Sequence, residues 1–408
     1  MIVNRFKLTL FVLVSLFSSA LIAQNTRFID PVFSTVDIST INYSDVFTDP
    51  AHKMDIYQPK NDTATQRPLI FYIHGGAFYA GDKATQDCID FCTHFAKKGY
   101  VAVSVNYRLA NAFLFLLNQD VQLEAVLESM ADVKSAIRFF GKDAYTTNTY
   151  KIDTNSVFIG GYSAGAVSAL HTAWVDSESE LDSKLVQILK STIKTLDGDA
   201  GNKGYACNIK AVYSMAGALY KTSYASENDQ PVWLGHATND GTVSYNCAPA
   251  LNNPMVLTLC GSGKIFPRLD SVGVDYDTMI LSKGDHAWPG LGNKGQDFLN
   301  SVEEIADFFY PMLPSSTPSS IKKLAKNKTF KLYPNPSNAE TVVVSIQEGK
   351  IIAVSIFDAI GRLISPEIIA DKTDKELSLG VNDLPAGLYR VVVTLEDGRQ
   401  LTQNLQRL

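Results

Sequence analysis

Gly161-Tyr162-Ser163-Ala164-Gly165 follows the apolar run Ser156 to Gly160 and precedes Ala166 to Trp174, a small and apolar stretch that can continue as a helix. The pattern predicts a strand, a sharp turn and a helix, with a serine at the apex of a nucleophile elbow. A serine hydroxyl attacks poorly at neutral pH unless it is exposed, paired with a base and faced by donors for an oxyanion. Glycines on both sides suit such a turn, because a Cβ at either position would crowd it. Five residues of this kind also occur in ordinary small-residue loops, so the remaining chemistry must be found elsewhere in the chain.

His74-Gly75-Gly76-Ala77-Phe78 follows the apolar run Leu69 to Ile73, where consecutive small residues can turn main-chain N–H groups toward one point. Gly76 and Ala77 are the candidate oxyanion donors, joined by Ala164 after the serine, while the His74 side chain braces the turn. A general base is sought among only six histidines. His52 precedes the first core strand, His94 and His171 fall in helical patterns, and His236 lies within a predicted strand. His286, in Gly284-Asp285-His286-Ala287-Trp288-Pro289 after the run Thr278 to Ser282, stands on a strand-end loop and is taken as the base. Asp240, on the loop after Val232 to His236, is its orienting carboxylate. Asp285 is too close in sequence to orient its neighbour, and Asp229 sits at the wrong end of the strand. The order Ser163, Asp240, His286 matches that of hydrolases built on an elbow.

The elements that must hold these residues alternate. Strands are predicted at Leu69 to Ile73, Tyr100 to Asn106, Ser156 to Gly160, Ile209 to Met215, Val232 to His236 and Thr278 to Ser282. Helices are predicted at Asp87 to Lys98, Gln119 to Gly141, Gly165 to Trp174 and Gln296 to Phe309. Continuous apolar strands between helices imply an α/β sandwich with a mostly parallel central sheet. Two segments, Ala112 to Leu117 and Asp176 to Asn208, either cover the site as a lid or acyl wall, or serve as a buried helix and a solvated connection.

Val105-Asn106-Tyr107-Arg108-Leu109 and Asp132-Val133-Lys134-Ser135-Ala136-Ile137-Arg138-Phe139 complete a pattern over residues 45–310 that resembles the α/β-hydrolases, close to carboxylesterases and hormone-sensitive-lipase-like esterases. The resemblance implies a cofactor-free Ser-His-Asp esterase acting on a carboxylic ester, in the range from lipase-like to polysaccharide acetyl or feruloyl esterases. Ala77 replaces a third glycine and Tyr162 an aspartate that hormone-sensitive-lipase-like members usually have. Two other readings stand beside it: a serine peptidase on the same fold, against which Ala164-Gly165-Ala166 argues, and a non-catalytic surface adhesion protein, which generally lacks a triad member.

The rest of the chain concerns address. Residues 1–23 have a basic start, an apolar core from Leu8 to Phe17 and small residues before Ala23, and read as a signal peptide cut after Ala23. The core is short for a membrane span, and no second span is expected. Residues 24–312 form the hydrolase domain and 313–328 a Pro, Ser and Thr-rich linker. From 329 to 408 strands and turns predominate, predicting a small all-β sandwich, with Asp397-Gly398 as a hairpin signal. Leu332-Tyr333-Pro334-Asn335-Pro336, Ser355 to Arg362 and Leu384-Pro385-Ala386-Gly387-Leu388-Tyr389 resemble the C-terminal sorting domain of type IX secretion substrates in Bacteroidetes. That implies the type IX machinery as partner and, through the periplasm, a secreted or cell-surface location. A net charge of −6 leaves nucleic acid without a matching surface. Five cysteines outside the signal peptide permit disulfides; Cys247 and Cys260 are the expected pair, and Cys88 and Cys92, at helical spacing, face the core.

Overall fold

A computed structural model describes residues 27–314 and 330–408, apart from 336, 347–349, 359–362, 370–374 and 397–399. The expected signal peptide, most of the expected linker, Asp397-Gly398 and the end of the Ser355 to Arg362 motif lie outside the described residues. The chain forms two compact units.

The first unit is built on an eight-stranded sheet. In chain order its strands are β1 (Val36–Asn42), β2 (Lys53–Pro59), β3 (Arg67–Ile73), β4 (Val101–Val105), β5 (Ile152–Tyr162), β6 (Ala211–Met215), β7 (Val232–Ala237) and β10 (Tyr276–Leu281); β8 (Cys247–Pro249) and β9 (Thr258–Cys260) form a separate ribbon. The spatial order is β1-β2-β4-β3-β5-β6-β7-β10, parallel from β4 onward and antiparallel at β1 and β2. β3, β4, β6 and β7 are buried at every position, as their predominantly apolar runs suit strands covered on both faces.

Among the described residues seven α-helices accompany these strands: α1 (Gln86–Lys98), α2 (Ala112–Leu117), α3 (Gln119–Tyr145), α4 (Ala164–Trp174), α5 (Ser183–Ser191), α6 (Ser262–Val272) and α7 (Gln296–Phe309). Alternate residues of β3 serve the two faces. Leu69, Phe71 and Ile73 pack with Met130, Val167 and Leu170 of α3 and α4, whereas Ile70 and Tyr72 pack with Phe91 of α1 and Phe309 of α7. β1 and β2, which the apolar pattern did not predict, extend the sheet at an edge where β1 is largely exposed. Polar residues at such an edge blur the strand signal.

The two motifs beyond the elbow meet inside this frame. Asp132, wholly buried on α3, accepts from the Arg108 main-chain N–H at 2.8 Å and from Arg108 Nε at 3.0 Å, and lies 3.3 Å from His52 Nε2. Asp199 accepts from Arg108 Nη2 at 2.7 Å. The loop that leaves β4 is thereby tied to α3. Asp132→Ala should lower folding stability by about 1 to 3 kcal/mol, since it leaves the Arg108 main-chain N–H and Nε without their acceptor while Asp199 keeps the guanidinium paired. Chemical denaturation would read this, and an unchanged midpoint would show that the network holds nothing.

The second unit packs a three-stranded sheet (Lys331–Tyr333, Thr341–Ser345, Glu376–Gly380) and a four-stranded antiparallel one (Leu363–Ile369, Ile351–Asp358, Gly387–Leu395, Gln400–Arg407) around Val342, Val344, Val354, Leu379, Val391 and Val393. It is an all-β sandwich, as the alternating pattern predicts.

Candidate active site

Ser163 sits between β5 and α4 at φ 55° and ψ −120°, a left-handed conformation that β-carbon-bearing residues adopt only when their surroundings hold them there. Its N–H is fixed to Met215 O at 2.9 Å. A Cβ on Gly161 would stand 2.1 Å from Ile73 O, and one on Gly165 1.9 Å from the same atom, so both glycines of the motif are required by one carbonyl at the end of β3.

The oxyanion loop begins at the next residue. Gly76, Ala77 and Phe78 have φ of 120°, 53° and 63°, and a Cβ on Gly76 would collide with Ala80 O at 2.0 Å. Ala80 N–H and Tyr79 N–H close the turn onto Gly76 O, and Ala110 N–H donates to Phe78 O. His74 stacks on Tyr107 and its Nδ1 bonds Gly75 O at 2.7 Å, which makes it a brace; burial pushes its pKa down. The N–H groups of Gly76, Ala77 and Ala164 have no recorded acceptor among the described residues.

His286 Nδ1–H donates to Asp240 Oδ2 at 2.7 Å, which leaves Nε2 to face Ser163 Oγ at 2.8 Å. Asp240 Oδ1 accepts from the N–H groups of Thr242 at 2.8 Å and Val243 at 2.9 Å. Burial would raise the Asp240 pKa, but hydrogen bonds from His236, His286 and Val243 outweigh it and hold the carboxyl well below the usual carboxylate range. Asp285 instead accepts from Ala287 N–H. Tyr162, whose ring centroid is 5.2 Å from that of His286, fills the space beside Gly75 and Gly290. Cys247 and Cys260 are joined in a disulfide, and Cys88 and Cys92 are buried and free. Among the described residues no group of three or more His, Cys, Asp or Glu is placed to hold a metal ion.

An apolar pocket opens at Ser163 and runs along α4, where Ala164, Val167 and His171 line it at three- and four-residue spacing, with Val175 just past the helix end. Phe115 of α2 and Leu181 and Leu185 of the 176–208 segment belong to its wall. The α2 helix is not buried: Phe113, Leu114 and Leu117 are exposed.

The polar side chains in the wall include two that sequence reasoning did not single out. Gln122 donates to Phe115 O and accepts from Leu257 N–H at 2.8 Å, clamping α2 and the 250–257 loop to α3. His171 Nδ1–H donates to Val167 O at 2.8 Å and Nε2 accepts from Tyr220 N–H at 3.2 Å, a neutral ring whose pKa burial pushes down to about 4. Below pH 6.5 the unfolded chain protonates this histidine and the folded one does not, so stability falls as pH drops from about 6.5 to about 4. The loss attributable to this group is of the order of 3 kcal/mol. Thermal unfolding across that window should be steep for the native chain and flatter for His171→Leu; equal slopes would refute the assignment.

The parallel sheet, the elbow and the strand-end loops define an α/β-hydrolase. Residues 54–200 match the family model described as BD-FAE, and residues 331–405 match the one described as Secretion system C-terminal sorting domain. Gut esterase 1 of Caenorhabditis elegans is 32% identical over 120 residues, 28% of this chain and 19% of that protein. Arylacetamide deacetylase of Oryctolagus cuniculus is 29% identical over 148 residues, 35% of this chain and 34% of that protein. The chain thus spans about a third or less of the length of these curated relatives. Among solved structures, a truncated carbohydrate esterase from gut microbiota aligns with a TM-score of 0.47 at 18% identity, covering 69% of this chain and 96% of that one. Thermogutta terrifontis esterase 2 phosphorylated by paraoxon aligns with a TM-score of 0.49 at 18% identity, covering 70% and 97%. On the α/β-hydrolase fold, residues 54–200 are thus similar to the BD-FAE esterase family, and residues 331–405 to a secretion sorting domain. No helix among the described residues is long and apolar enough to cross a membrane.

Proposed function

We propose that the chain is an exported serine esterase that cleaves esters of apolar carboxylic acids, holding the acyl tail in the pocket along α4. The observation that carries this reading is the hydrogen-bonded row Asp240, His286, Ser163 opening directly onto that pocket. His286 Nε2 takes the Ser163 proton as Oγ attacks the ester carbonyl, and Asp240 stabilises the resulting imidazolium. The N–H groups of Gly76, Ala77 and Ala164 receive the oxyanion. His286 then protonates the departing alkoxide, and water, activated by the same nitrogen, releases the acid from the acyl-enzyme. Residues 1–23 direct the chain to the periplasm and the sorting domain hands it to the type IX machinery, for release or display at the cell surface.

Both Gln122 and His171 spend their hydrogen bonds on the protein, so these pocket side chains are already satisfied and the wall favours a hydrocarbon. A peptidase of the same fold would need to cleave a peptide amide, which a peptide substrate run beside the esters tests. Ser163→Ala should abolish hydrolysis of nitrophenyl esters. The native enzyme should cleave the octanoyl ester at least about tenfold faster in kcat/KM than the acetyl ester, because buried methylenes add binding energy. Val167→Trp should reverse that preference. Full activity in Ser163→Ala would remove the nucleophile assignment, and an acetyl preference in the native enzyme would remove the acyl-tail assignment.

A further inference from the structure

Asp240 has a second histidine. His236, wholly buried on β7, lies with Nε2 2.9 Å from Val243 O and 3.4 Å from Asp240 Oδ2. Both neighbours of that nitrogen are acceptors, so Nε2 carries the proton and shares it between them. Nδ1 faces Ser262 Oγ at 3.1 Å and takes its hydroxyl proton as acceptor. The ring fits because Gly261 has no side chain; a Cβ there would stand 2.8 Å from His236 Cε1. Cys260, next in line, is bonded to Cys247, so the segment that presents Ser262 to His236 is joined covalently to the loop that leaves Asp240.

Asp240 Oδ2 is therefore shared. His286 Nδ1–H occupies it at 2.7 Å, and His236 Nε2 lies 3.4 Å from the same oxygen. We infer that His236 is a positioning residue for the catalytic row, and that its N–H on Oδ2 limits how strongly Asp240 holds the protonated form of His286. The inference rests on the esterase reading for its function, though its geometry does not. A donor on Oδ2 draws charge from the oxygen that faces His286; without it that charge acts on His286 alone, and the imidazolium forms more readily. Other titratable groups lie close by. Tyr162 stands beside His286 and is kept neutral by burial, Asp285 is the residue before His286, and Tyr245 meets the edge of the His236 ring at 5.7 Å. The direct side-chain contacts recorded to Asp240 come from His236 and His286.

The test uses the full chain and the pH dependence of two reactions: hydrolysis of a nitrophenyl ester and inactivation by a fluorophosphonate, which needs the row but no ester turnover. His236→Phe should move the acid limb of both profiles up by about 0.5 to 1 pH unit, the worth of one ordinary hydrogen bond, as its 3.4 Å length suggests, with KM changed less than about twofold. His236→Gln, whose amide N–H can replace Nε2–H and cannot titrate, should return the limb to the native position. Ser262→Ala, which removes the donor to Nδ1 and makes Nε2–H a weaker acid, should shift it the same way by less, and it serves if His236→Phe does not fold. An acid limb that stays in place in both His236→Phe and Ser262→Ala overturns the inference, as does a Gln variant that shifts as far as Phe. A native chain that reacts with the fluorophosphonate but with no ester removes the esterase reading and leaves this test intact.

Discussion

The carbonyl of Ile73, the last residue of β3, is the point on which the site depends. Gly161 and Gly165 both approach it closer than any Cβ could, and the main chain between them is bent until Ser163 takes a left-handed φ. The chain that leaves the same carbonyl becomes the oxyanion loop within three residues. The proposed nucleophile and oxyanion donors are thus indexed to one atom of one buried strand, and the strain at Ser163, Ala77 and Phe78 is sustained by a sheet that cannot easily yield.

Around that point the polar network is arranged so that few groups answer to a ligand. Arg108 is committed to Asp132 and Asp199, His74 to its own turn, Gln122 to α2 and the 250–257 loop, and His171 to α4 and Tyr220. What remains on the inner side of Ser163 is hydrocarbon apart from Tyr220 and Tyr224, the latter with a buried hydroxyl that has no partner among the described residues. The division between a polar row at the strand ends and an apolar channel along α4 follows from helix periodicity: Ala164, Val167 and His171, three and four residues apart, line the channel from one face of α4, and Val175 continues it just past the helix end.

Legibility in the sequence followed the locality of each signal. β3, β4, β6 and β7 announce themselves because strands buried on both faces are continuously apolar, and α7 was bounded as observed because its apolar stripe is strong. β1 gives mixed signals at an exposed edge, and α6 carries Pro267 in its interior, which speaks against a helix. Ser163, Asp240 and His286 could be found because their order and their places after strands are properties of the chain. His236 could not, since a histidine inside a strand reads as a packed residue. Its meaning depends on Gly261 and Ser262, which the fold brings up from α6.

Residues 243–262 therefore couple two tasks that are usually described apart. Val243 donates its N–H to Asp240 and lines the pocket, Leu251 and Leu257 line the same pocket, and Ser262 completes the bonding of His236. The disulfide closes this stretch into one loop, anchored to β7 at one end and α6 at the other. On the proposed reading, an acyl chain that presses on Leu251 and Leu257 acts on the same closed loop that sets the position of Asp240. Substrate fit and the geometry of the base are then not independent, because the wall that senses the tail and the support that aims His286 are a single piece of chain.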